Sequence, residues 1–166
     1  QSESGAWQYR RDDGWHDFRV RVETIVHKGG TPEVLPILFN ELGTLETQPK
    51  PGEPGYYLLN AWVGDMKGSG RSISTWLDFV SAPDALSAMD VARECPLPTL
   101  VWVFADREGH IGMQAGGWFP RRGNNHHGML PIPAWDKRNH WRGLLPSSVL
   151  PRVYDPPEGY VATANE

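Results

Sequence analysis

Four side chains in the C-terminal part are of types that bind cations: His126, His127, Asp136 and His140. A structural zinc site needs ligands spaced so that short elements present them to one point. Adjacent histidines point apart on an extended chain, and the remaining gaps match no zinc spacing, so solvated loop histidines and no metal are the expectation. Asp106 and Glu108 offer the paired carboxylates used for acid–base work. They lie in Asp106-Arg107-Glu108-Gly109, however, whose residue types are those of a hairpin turn, and turn formation is the plainer role. Cys95, the only cysteine, precedes Pro96 with no neighbour that would lower its pKa, and reads as core filler. Arg121, Arg122, Lys137, Arg138, Arg142 and Arg152 tilt this part basic; a solvated face or contacts to another segment is expected, not an anion site. Asn165 brings a neutral amide donor to the end of a short apolar stretch, where capping a strand is its plain reading.

The chain that must position these groups has 166 residues, 39% of them hydrophobic and 22% charged. That is enough to bury one core, and it excludes a disordered chain. Its apolar runs fall short of the roughly 20 residues that cross a bilayer. A net charge of −4 disfavours nucleic acid as a partner. The start, Gln1-Ser2-Glu3-Ser4-Gly5, has neither the basic nor the apolar region of a signal peptide. The composition includes 15 prolines, 18 glycines and 8 tryptophans, which predicts short elements joined by many turns. Most of the tryptophans are read as half-buried packing residues; the sharper reading gives some of them an apolar or sugar-binding groove.

Period-two alternation predicts a strand over Trp15–His27, with Phe18, Val20, Val22 and Val26 inward and Arg19, Arg21, Glu23 and His27 outward. The turn Lys28-Gly29-Gly30-Thr31-Pro32 leads to a second strand over Glu33–Asn40, where Pro36 points to an edge or a bulge. After the proline-rich loop 48–55, a third strand is expected over Tyr56–Val63. Ile73, Trp76, Leu77 and Val80 recur at helical spacing in Ser72–Val80. A second helix is expected over Pro83–Glu94, stopped by Pro96 and Pro98. Thr99–Ala105 and His110–Trp118 flank the Asp106–Gly109 turn as a hairpin. A long segment punctuated by prolines follows, and Tyr160–Ala164 reads as a last short strand. Strand pairs around two consecutive helices define an α+β class, with residues 1–166 taken as a single domain.

The C-terminal part carries a series of short motifs. Ala105-Asp106-Arg107-Glu108-Gly109-His110-Ile111-Gly112 resembles the Ala-Asp-x-x-Gly-Asn-Ile-Gly hairpin of penicillin-acylase-type hydrolases. Ala115-Gly116-Gly117-Trp118-Phe119-Pro120-Arg121 is similar to that family's Gly-x-x-Pro-x-Arg, and Gly128-Met129-Leu130-Pro131-Ile132-Pro133-Ala134-Trp135-Asp136 to its Gly-Leu-x-Pro-x-Pro-Gly-Trp. Trp141-Arg142-Gly143-Leu144-Leu145-Pro146, Leu150-Pro151-Arg152-Val153 and the run Pro156–Asn165 complete the series. Each piece is weak alone; their order makes them specific together. The resemblance extends more loosely back to Tyr9, where Leu42-Gly43-Thr44 stands in place of a His-Gly-Pro turn, and Val101 stands where an Asn is common.

The resemblance implies an internal fragment of the large subunit of a penicillin acylase (penicillin amidase). These are N-terminal nucleophile hydrolases with a four-layer αββα sandwich, of which this chain would be an antiparallel, β-rich piece. It also implies self-cleavage of a precursor, a new N-terminal Ser, Thr or Cys as nucleophile, that residue's own amine as base, and no cofactor. The nucleophile would lie outside this chain; Ser4-Gly5-Ala6-Trp7 only echoes the family's Ser-Asn-x-Trp start. Asn165 is implied as a catalytic residue, an oxyanion-hole donor, with Glu166 in place of a second Asn. The implied partners are the remaining segments of the same precursor, both small subunit and rest of the large one, and a small-molecule amide substrate. That substrate is penicillin-type, an acyl-homoserine lactone or peptide-like. A periplasmic or secreted parent, self-association of the isolated piece and no membrane partner are further expectations. A non-catalytic binding module and an inactive acylase homologue are the alternatives.

Overall fold

A computed structural model of the chain describes residues 6–50, 52–123 and 126–164. By its contacts the chain divides into two compact units, one of residues 1–62 and 122–141, the other of residues 63–121 and 142–166.

The first unit begins with a hairpin of β1 (Gln8–Arg11) and β2 (Gly14–Asp17), in register from Gln8 opposite Asp17 to Arg11 opposite Gly14. The strand expected over Trp15–His27 is therefore broken at Phe18, whose N–H donates to the Trp7 carbonyl. It resumes as β3 (Arg19–Ile25), paired antiparallel along its whole length with β4 (Glu33–Phe39). The turn between them falls where the glycines predict it, with Gly29 at φ +72°. Pro36 sits opposite Val22, and β4 meets β5 (Thr44–Leu45) only at Phe39. The missing N–H of Pro36 thus faces an open edge, as its chemistry requires. β6 (Leu59–Asn60) closes the order β3-β4-β5-β6 and is much shorter than the strand expected over Tyr56–Val63, because its only partner is the two-residue β5.

The inward face expected for β3 is not covered. All seven of its residues are exposed, Val22 at 61%. Alternation states which residues favour burial; it does not supply the layer that buries them.

Gly43 holds the β4–β5 turn close to β6. A Cβ there would lie 2.0 Å from the Asn60 carbonyl oxygen, so only hydrogen fits. The Asn40 side chain caps the same turn, accepting from Leu42 N at 2.9 Å and Gly43 N at 3.3 Å.

Residues 122–141 belong to the first unit and are pinned by polar contacts. Arg11, almost fully buried, donates from Nη1 to the Ala134 carbonyl at 2.9 Å and from Nε to Glu41 at 3.1 Å. Its guanidinium also lies 4.6 Å from the Tyr9 ring centre, and the Tyr9 hydroxyl donates to Glu41. Burial works to raise the Glu41 pKa, but the hydrogen bonds from Arg11, from backbone and from Tyr9, with the Arg11 charge, together outweigh it and hold the carboxyl below its usual value.

In the second unit, α1 (Arg71–Asp78) runs on through a short 3-10 turn, and α2 (Ala85–Glu94) follows. Helix α2 starts two residues later than expected, with Asp84 outside it as the N-cap, accepting from Ser87 N at 2.7 Å. It lies on β7 (Leu100–Ala105) and β8 (Ile111–Gly116), which pair with β9 (Arg152–Tyr154) in the order β7-β8-β9. Met89, Ala92 and Cys95 are wholly buried there. A Cβ on Gly116 would meet the Ala92 carbonyl oxygen at 2.3 Å, and one on Gly112 the Met89 sulfur at 2.2 Å. The glycines of β8 are what let the helix lie directly on the strand.

The helical spacing holds, but the apolar stripe of α1 and the 3-10 turn after it faces out, with Ile73 75%, Leu77 67% and Val80 86% exposed, while Ser72 and Thr75 are buried. Their hydroxyls donate to the Ser69 and Arg71 carbonyls one turn back, which satisfies them away from water. Tyr160–Ala164 is extended but unpaired, so it is not a strand; a strand needs a neighbour to complete its ladder, and none of the described residues offers one. β9, unforeseen in the sequence, exists because Gly112–Gln114 pair with it.

Candidate functional site

The motif-bearing hairpin and the strand beside it organise one end of the second unit. Asp106 closes the turn in which it stands, its Oδ1 accepting from Glu108 N and from His110 N, each at 3.0 Å. Its Oδ2 accepts from Ala85 N at 3.2 Å, at the start of α2. Burial acts to raise the Asp106 pKa, and these amide bonds, Ala85 foremost, outweigh it and hold the carboxyl below its usual value. Asp106 is thus a fixed anion and acceptor. Glu108 contributes its N–H to the turn, and the two carboxylates do not form an acid–base pair.

His110 follows the turn, and its Nδ1 lies 2.6 Å from Asp155 Oδ2, just past β9. The Ile111 N–H donates to Asp155 Oδ1 at 2.9 Å, and the Asp155 N–H donates to the Ile111 carbonyl at 2.9 Å. This contact was not foreseen. The signals for it in the sequence are the histidine at the Asn position of the hairpin motif and an aspartate directly before two prolines.

On the helix-facing side of the hairpin, Trp102 packs against Trp76 at 5.6 Å and Phe79 at 5.0 Å, and Phe104 lies 6.0 Å from Phe79. Trp76 Nε1 donates to the Leu97 carbonyl at 3.1 Å. Trp102 is half-buried by this packing, but Trp15, Trp62, Trp76 and Trp135 are exposed, so half of the eight tryptophans depart from the half-buried expectation. Val101 and Val103 point to the opposite face, where they are exposed, with Met113 of β8 between Val103 and Val153.

The other candidates are placed as follows. Asn165, with Glu166, lies outside the described residues, as do Ser4 and Gly5. His126 and His140 are half-buried rather than solvated, because each donates from Nε2 to a backbone carbonyl, of Asn139 at 3.0 Å and of Ala134 at 2.8 Å. His127 is exposed. Asp136 pairs with Arg138, whose hydrogen bonds depress its pKa to about 2. No group of three His, Cys, Asp or Glu side chains among the described residues converges as metal ligands would. Cys95 is buried and free, its thiol pKa pushed up by that burial. Of the basic residues, Arg152 pairs with Asp90 at 2.7 Å, and Arg121 donates to the Arg142 carbonyl. No helix among the described residues is long and apolar enough to cross a membrane.

An antiparallel hairpin with an Asp-closed turn, backed by a helix and flanked by a third strand, makes this unit an α+β substructure. The penicillin amidase family model matches residues 1–166, and the chain belongs to that family. It is 34% identical over 159 residues to an acyl-homoserine lactone acylase, QuiP, of Pseudomonas putida, covering 95% of this chain and 19% of that protein. It is 30% identical over 157 residues to penicillin G acylase of Escherichia coli, covering 95% of this chain and 18% of that protein. The fold matches a thermostable penicillin G acylase from Alcaligenes faecalis with a TM-score of 0.81 at 22% identity, over 96% of this chain and 28% of that one. The chain therefore spans about a fifth of the length of these sequence relatives.

Proposed function

We propose that this chain is part of the large subunit of a self-processing amide hydrolase that cleaves an N-acyl amide, and that both of its compact units belong to that one subunit. The observation that supports this best is the family match along all 166 residues. Among the relatives are an acyl-homoserine lactone acylase and a penicillin G acylase, so the substrate class is a small N-acyl amide with an apolar acyl group.

In this reading the nucleophile is an N-terminal Ser, Thr or Cys carried elsewhere on the mature protein. An α-amino group titrates at about 8, low enough for the free amine to take the nucleophile's proton at neutral pH. Attack on the amide carbonyl forms a tetrahedral oxyanion, which collapses as the amine leaves with a proton. Water then releases the acid from the acyl-enzyme. Asn165 is the residue of this chain assigned to the chemistry. Its neutral side-chain N–H donates to the oxyanion, a charge that exists only in the transition state. The parent protein is placed in the periplasm or outside the cell on family analogy.

The test is amine release by the complete protein from a long-chain acyl-homoserine lactone and from benzylpenicillin. Hydrolysis of at least one is expected. Inactivity on both, in a protein whose gene lacks an N-terminal-capable Ser, Thr or Cys, would favour an inactive homologue.

A further inference from the structure

His110 directly follows the turn glycine Gly109. The structure gives it a partner across the sheet edge. Asp155 is the non-glycine residue found in the left-handed backbone region, at φ +45°. Aspartate is among the few residues that tolerate it. Three hydrogen bonds hold Asp155 there: its carboxylate accepts from Ile111 N and from His110 Nδ1, and its N–H donates to the Ile111 carbonyl. The His110 ring also stacks on Tyr154, with centroids 5.7 Å apart.

We propose that His110 and Asp155 form a pH-dependent clasp that holds the turn after β9 on the β7–β8 hairpin and so positions the chain that follows it, residues 156–164. The positioning half rests on the amide-hydrolase reading; the clasp itself does not. His110 is a positioning residue here. It touches no reacting atom.

The groups that act on the His110 charge are anionic. Asp155 stands across from it, Asp106 and Glu108 lie in its own turn, and Asp84 caps α2. Arg107 is the cation of the same turn, and Tyr154 adds a neutral phenol. The hydrogen bond to Asp155, and then its charge, hold the imidazolium pKa above its usual value. The hydrogen bond from Ile111, and then that from His110, hold the Asp155 carboxyl below its usual value. A raised histidine stabilises fully below its unfolded pKa of about 6.5 and loses that contribution as pH rises through the folded value. A depressed aspartate stabilises above its unfolded pKa of about 3.9 and loses that contribution as pH falls through the folded value. The clasp is therefore tightest in mildly acidic solution. Above the His110 pKa the neutral ring keeps its N–H and loses the charge assistance. An asparagine there would not titrate.

The test uses the complete protein with its native residues, with His110→Asn and with Asp155→Asn. Hydrogen exchange is followed by mass spectrometry in peptides covering residues 106–114 and 152–160, corrected for the intrinsic rate at each pH. Between about pH 6 and about pH 8.5, protection of these peptides should fall about two- to fivefold in the native protein and stay level in His110→Asn. Equal pH dependence in both, or none in the native protein, would overturn the clasp. His110 is half-exposed, so His110→Asn is expected to fold; Asp155→Asn should lower protection at both pH values. For the positioning half, the ratio of native to His110→Asn kcat should fall over the same pH range while KM stays level. A constant ratio would overturn positioning and leave the clasp standing. A protein with no amidase activity would overturn positioning together with the hydrolase reading, and exchange would still decide the clasp.

Discussion

The Asp106 carboxylate accepts from the Ala85 amide at 3.2 Å, so one residue of the β7–β8 turn also caps the start of α2. The same side chain takes the Glu108 and His110 amides. Replacing it with alanine removes three acceptor contacts at once and should lower the thermal midpoint by several degrees. Asp106→Asn, which keeps one neutral acceptor, should lose less. Because the Asp106 pKa is depressed, its contribution is present above an ordinary value of about 3.9 and lost as pH falls through the folded value. The midpoints of native protein and Asp106→Ala, measured by calorimetry, should therefore converge in acid. Parallel curves down to about pH 2 would contradict the assignment.

The two glycines of β8 make unequal demands. At Gly116 an added methyl meets backbone, the Ala92 carbonyl; at Gly112 it meets the flexible end of Met89. Overpacking of this kind costs about 1–3 kcal/mol. Gly116→Ala should fall at or above the upper end and Gly112→Ala at the lower end, and Gly112→Ala should cost less still when added to Met89→Ala than when added to the native chain. Chemical unfolding of the four variants, Met89→Ala alone included, measures the order, and a milder Gly116→Ala would contradict the close helix–strand approach.

The outward apolar stripe of α1 should be visible in solution. The isolated chain is expected to self-associate, and Ile73→Ser with Leu77→Ser should shift it toward monomer in light scattering. In the complete protein, if the stripe is covered, the same pair removes about 1.5–3 kcal/mol of burial per side chain and should lower the yield of soluble protein. A monomeric native chain that binds no hydrophobic dye would argue that the exposed stripe has no partner.

These particulars show what the sequence could and could not convey. The Gly29 turn, the Asp106–Gly109 turn and the end of α2 before Pro96 were legible because local chemistry decides them. The period-two run of β3 and the helical spacing of Ile73, Trp76 and Leu77 were also legible as elements. Their buried sides were not, because burial depends on a partner that periodicity does not name. β9 was missed because three residues carry no period, and its existence depends on pairing with β8. The His110–Asp155 contact joins residues 45 apart in sequence, and such a pair is not evident until the fold brings them together. The motif series gave the family; the position assigned to catalysis, Asn165, came from it alone.

That assignment is open to direct kinetics. In the complete protein, Asn165→Ala should leave KM within a few-fold and lower kcat by roughly 10²–10³, the usual cost of one oxyanion donor. A fall of less than about threefold would remove Asn165 from the mechanism.

The central claim is that this chain is a segment of a self-processing N-terminal nucleophile hydrolase. Its most direct test is the intact masses and N-terminal sequences of the protein expressed from the complete reading frame. Two chains are expected, the larger beginning with Ser, Thr or Cys and containing this 166-residue sequence. A single uncut chain would contradict it.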